Sequence, residues 1–105
     1  MSDTFYMKRG DTSPGLVKTL LNPDGTAVDL TGAAINIHVF DRNGNSVIDA
    51  SATIDDAAAG IVSYIFGAIA AANYNYEFEV TYSDSSIETF PNSGFDLLVV
   101  ERDLA

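Results

Sequence analysis

Between residues 73 and 82 the side chains alternate strictly. Tyr76, Phe78, Val80 and Tyr82 occupy every second position, with Asn75, Glu77, Glu79 and Thr81 between them. A period of two sends successive side chains to opposite faces of an extended chain. One face is aromatic and apolar, and the other carries two carboxylates, an amide and a hydroxyl. A helix would scatter the same aromatics around its circumference. The pattern predicts a half-buried strand of an antiparallel sheet, and the other extended segments read as its partners.

Those partners are short. Residues 5–8 predict a first strand, followed by the turn-forming run Arg9-Gly10-Asp11-Thr12-Ser13-Pro14-Gly15. Residues 16–21 predict a second strand, stopped by Asn22-Pro23-Asp24-Gly25. Residues 26–30 are extended and broken at Thr31-Gly32. Residues 33–40 predict a strand with Ile35, Ile37 and Val39 on one face and Asn36, His38 and Phe40 on the other. Asn43-Gly44 predicts a type I′ hairpin, with residues 46–50 returning and 52–54 continuing. Asp55-Asp56 and three alanines predict a loop or one helical turn before Gly60.

Residues 61–66 are β-branched and aromatic, which predicts another strand. Residues 68–72, Ala-Ile-Ala-Ala-Ala, are far shorter than the roughly 12 residues an isolated helix needs, so a turn or a single helical turn is expected. Residues 87–90 and 95–100 supply the last strands, separated by Pro91-Asn92-Ser93-Gly94. The fold class expected is all-β: an antiparallel two-sheet immunoglobulin-like β-sandwich of about seven to eight short strands, with turn signals roughly every 8 to 12 residues. The expectation is one domain over residues 1–105, with extended ends at 1–4 and 101–105 able to drape over partners.

Composition narrows the function classes. Apolar residues make up 47% and charged residues 19%, a globular balance. Cysteine is absent, which removes disulfides and thiolate metal sites. The start has no secretory leader and no apolar run reaches the length of a membrane span. Fifteen acidic residues against five basic ones give a net charge of -10. The cations Lys8, Arg9, Lys18, Arg42 and Arg102 form no stripe, which disfavours nucleic acid and anionic membranes as partners.

The candidate chemistry is thin. His38 is the one histidine, and no Gly-x-Ser-x-Gly elbow accompanies it; a half-exposed strand histidine is expected. Asp55-Asp56 offers carboxylates for calcium, or Asp55 caps the following turn. Glu77 and Glu79 stand about 6.5 to 7 Å apart on one strand face, a separation also found between glycosidase carboxylates. Any strand with acids two apart has it. Arg9-Gly10-Asp11 matches an integrin-type tripeptide, a match common by chance. No catalytic, cofactor-binding or metal-ligating residue is expected, and no cofactor.

Five ordered segments carry a resemblance: residues 5–14, 22–33, 59–64, 76–82 and 88–92. Together they resemble the immunoglobulin-like N-terminal domain of phage baseplate upper proteins. The resemblance implies a non-enzymatic virion structural protein, docking or adapting within a tail, baseplate or fibre assembly, or decorating a capsid. It implies other phage structural proteins as partners, repeated copies in the virion, and synthesis in the host cytoplasm. The chain departs from the family pattern at 68–73, where an alanine-rich turn replaces a more polar one. It also stops at Ala105, so a stand-alone adaptor is expected rather than a receptor binder.

Candidates for partner contact are Ile69, Phe5 and Tyr6, with a core-capping role as the alternative for Ile69. The competing function is a carbohydrate- or protein-binding β-sandwich module of a bacterial surface protein, with Tyr6, Tyr64 and Tyr74 as its exposed aromatics. An enzyme centred on His38 is a third class.

Overall fold

Alternating β-branched and aromatic residues, punctuated by glycine- and aspartate-rich turns, leave this chain few options besides sheet. The computed structural model describes residues 3–10, 15–67 and 69–102. Among these, nine strands form and no helix: β1 (Thr4–Lys8), β2 (Leu16–Thr19), β3 (Ala34–Phe40), β4 (Ser46–Ser51), β5 (Thr53–Asp56), β6 (Ile61–Tyr64), β7 (Ala72–Thr81), β8 (Ile87–Phe90) and β9 (Asp96–Glu101). One sheet runs β1-β9-β7-β3-β4, with β8 also on β7; the other runs β2-β6-β5. The two-sheet all-β sandwich expected from the alternation is what forms.

β7 is the hub. Its one edge carries β3 from Asn75 to Thr81. Its other edge is shared by β9, along Ala72 to Tyr76, and β8, along Phe78 to Thr81. Two details differ from expectation. β1 lies parallel to β9, unlike the antiparallel pairs elsewhere. Residues 52–54 do not simply prolong β4: Ala52 still donates to the Ile35 carbonyl, but β5 then pairs with β6 in the opposite layer.

The inward phase of each strand builds one core. Ile35, Ile37 and Val39 from β3 and Tyr74, Tyr76, Phe78 and Val80 from β7 face Leu16, Leu20, Val62 and Phe66 from the smaller layer. Val28 and Leu30 join them, so the extended 26–30 segment keeps its alternation although only Ala27 makes a bridge, to Leu21. Phe66 lies 6.0 Å from Phe5 and 5.2 Å edge-on from Tyr64, clasping β1 to β6 across the layers.

β2 stops at Thr19, short of the expected 21, because Leu20 donates to the Gly60 carbonyl and accepts from Val28. Gly60 sits at φ +69, and a Cβ there would stand 2.8 Å from the Val28 oxygen and 2.9 Å from that of Leu20. Only glycine fits where the β5–β6 turn is pressed against that loop.

The hairpin at Asn43-Gly44 is not type I′. Asn43 keeps a negative φ and only Gly44 is left-handed, at +85. Gly44 donates to Asp41 O at 3.0 Å, and Asp41 donates to Asn45 O at 3.0 Å. That is a type I turn closed by a residue in the left-handed region, the bulged hairpin loop. The Asp41 carboxylate accepts from the amides of Asn43 and Asn45, both at 2.9 Å, and this local bond selects the turn. The same pair of backbone bonds recurs at Asn22–Thr26 and Tyr82–Ser86.

Candidate functional site

The strongest polar feature was not anticipated. Asp96 opens β9 in the phase of Leu98 and Val100, so the sheet turns its carboxylate inward, where it is 2% exposed. Lys18, in the phase of Leu16 and Leu20, reaches it from the other layer: Nζ lies 2.9 Å from Asp96 Oδ2 and also pairs with the Asp3 carboxylate. The Asp3 amide donates to Asp96 Oδ1 at 3.0 Å. The Asp96 Oδ2 has no well-directed hydrogen bond, so charge alone ties it to the lysine. Burial pulls the Lys18 pKa down, but the two carboxylates outweigh it and leave the pKa raised. The cluster pins the sheets together. A trace of it stood in the sequence: two strands each carried a lone charge in the phase of their apolar residues, opposite in sign.

The outer face of the large sheet is the other polar surface. His38, Glu77 and Asp49 form one cross-strand row, with His38 Nε2 3.3 Å from Asp49 Oδ1 and Nδ1 3.8 Å from Glu77 Oε1. Phe40 packs edge-on against His38 with centroids 6.3 Å apart. The histidine is thus a half-exposed strand residue held between carboxylates. Glu77 and Glu79 lie two positions apart on this open face. Toward β1 the face turns apolar, with Tyr6 beside Val99 and Leu97 one row on.

The remaining candidates resolve individually. Asp56, not Asp55, caps the alanine turn: it closes β5 three residues before Ala59, whose amide it accepts from at 3.2 Å. Among the described residues no group of three or more histidine, cysteine, aspartate or glutamate side chains is placed to hold a metal. Arg9 and Gly10 are exposed on a turn with Gly10 at φ +85; Asp11, which completes the tripeptide, lies outside the described residues, as do 12–14.

Of the partner-contact candidates, Tyr6 is 66% exposed on the outer face. Phe5 is half-buried against Phe66. Ile69 is corrected as an exposed contact: it is 8% exposed and belongs to the core, its alternative role. The segment after Gly67 folds inward there, with the Tyr74 hydroxyl donating to the Ala70 carbonyl at 2.6 Å; Ala68 lies outside the described residues. Tyr64 and Tyr74, offered as sugar-stacking aromatics, pack into or against the core instead. The ends are also tied more closely than expected. Asp3 accepts from Leu97 and Thr4 opens β1, while residues 1–2 and 103–105 lie outside the described residues.

Comparison with known proteins places this architecture. A likeness to the crystal structure of CopC from Methylosinus trichosporium OB3b covers 99% of this chain and 89% of that one, with TM-score 0.59 and 17% identity, and shows a shared fold alone. No curated protein matches. The family model described as the BppU N-terminal domain matches residues 1–101. With that match spanning all nine strands of the sandwich, the chain belongs to the BppU N-terminal domain family, a structural family of phage baseplates.

Proposed function

We propose that this chain is a non-enzymatic docking or adaptor domain of a phage virion, seated in a tail, baseplate or fibre assembly. The observation that carries this reading is the family match over residues 1–101. Three features support it. Among the described residues the groups ion-paired with His38 are carboxylates, Asp49 and Glu77, rather than a nucleophile of a triad. The outer surfaces hold exposed apolar residues, including Tyr6, Val17, Ile65, Ile87 and Phe95, of the kind protein contacts cover. A net charge of -10 suits protein partners better than nucleic acid or anionic lipid. The partners are other phage structural proteins, and the domain is present in repeated copies on the particle.

Mass spectrometry of purified virions tests the reading directly. The chain is expected at a fixed ratio to baseplate or tail proteins. Its absence from particles that carry all other structural proteins would sink the proposal.

A further inference from the structure

The hollow beside the β3–β4 turn stands apart in its chemistry. It measures about 370 Å³ and is lined by Phe40, Phe95, Asn75, Glu77, Asp41 and Arg42. Phe95 sits between β8 and β9 and is 49% exposed. Glu77 keeps only 19% of its side chain exposed, yet its nearest ionic partner among the described residues is His38 at 3.8 Å, beyond hydrogen-bonding distance. Asp41 is locked by the amides of Asn43 and Asn45, and those bonds hold its carboxyl below the ordinary range and therefore charged. Arg42 makes no ion pair among the described residues. Two carboxylates against one guanidinium leave the hollow net negative.

We infer that this hollow is the socket for an arginine side chain of a neighbouring virion protein. The inference rests on the docking role proposed above and names the chemistry of one contact. An aromatic ring attracts a cation over its face. A mostly covered carboxylate without a donor accepts one from a partner. Arginine satisfies both at once, because its planar guanidinium stacks on a ring while forking toward a carboxylate, which lysine cannot do. The chain's net charge of -10 matches a basic partner surface around that side chain.

The full ¹⁵N-labelled chain, titrated with acetyl-Gly-Arg-Gly-amide at constant ionic strength, tests the ligand chemistry by NMR. Saturable shifts confined to Phe40, Asn75, Glu77 and Phe95 are expected. The neutral citrulline analogue should bind about tenfold more weakly, as should the arginine peptide to Glu77→Gln. Shifts spread over every acidic loop, or equal for citrulline, overturn the inference. Phage carrying Glu77→Gln or Phe95→Ala chains, each checked for wild-type melting, test the role. Reduced incorporation into particles is expected. Normal incorporation of both variants overturns the inference and leaves the proposed function standing. Absence of the wild-type chain from particles overturns both.

Discussion

An ammonium between two carboxylates is a costly thing to place inside a sandwich, and its worth lies in what its loss leaves behind. Lys18→Met would strand the Asp96 carboxylate, 2% exposed, with only the Asp3 amide at 3.0 Å. Removing one member of a buried pair costs about 3 to 5 kcal/mol. Lys18 retains some solvent contact, so the lower end applies, and the midpoint of urea unfolding at pH 7 is the check. A loss under about 1 kcal/mol would mean that the pair is solvated and not a pin. Glycines separate two other residue-level effects. At Gly44 a new Cβ meets nothing within 4 Å, so Gly44→Ala isolates the left-handed backbone penalty, about 1 to 2 kcal/mol. Gly60→Ala adds a clash with two carbonyl oxygens and should cost roughly 1 to 3 kcal/mol more. Equal losses in the two variants would mean that the Leu20–Val28 loop yields freely. The burial of Asp96 was not legible. Residues 95–100 are apolar in both phases except for Asp96, so the strand alone could not say which phase faces in. The register with β7, Asp96 opposite Tyr76, decides it.

At the scale of elements, three loops share one backbone design, and one of them departs from glycine at its left-handed position. The left-handed position is Gly25 in the first, Gly44 in the second and Ser85, at φ 72, in the third. Asp84 accepts from the Ser86 amide at 2.9 Å and hydroxyl at 2.6 Å, which holds the third loop in shape despite its serine. Ser85→Gly should therefore stabilise the domain by a few tenths to about 1 kcal/mol, relief of the serine penalty being partly offset by glycine's extra freedom when unfolded. A thermal melt reads this directly, and a lowered midpoint would show that the serine side chain holds the loop. Strands were the legible elements. β8 occupies the expected 87–90, and the alternation in β3 and β7 assigned their buried faces correctly. Turn type was less legible, because Asn-Gly fits two hairpin loops and Asp41, two residues earlier, chooses between them. The parallel placement of β1 had no local signal.

Across the whole molecule, titrating groups shape stability at both ends of the pH scale. Asp24, Asp29 and Asp84 have depressed pKa values because each accepts from the hydroxyl and amide of the residue two places on. Asp41 is depressed chiefly by the Asn45 amide. Carboxyls lowered on folding contribute stability above their unfolded value near 3.9, and that contribution is lost as pH falls through the folded values. Four groups act at the other end. Burial raises Tyr74 and Tyr76, and burial with the Glu88 bond raises Tyr82 to about 12. Lys18 is raised as well. Groups raised on folding contribute stability below their unfolded values near 10, and lose it as pH climbs. Urea midpoints should thus stay level from about pH 5 to 9.5 and fall on either side. The alkaline fall should be the steeper, because deprotonation there adds to a charge that is already -10 at pH 7. Tyr82→Phe removes one of the four alkaline groups, so its midpoint should decline less steeply from pH 10 to 12 than that of the wild type. Parallel declines would show that the Tyr82–Glu88 bond does not persist in solution, and a level midpoint up to pH 12 would sink the alkaline account for all four groups.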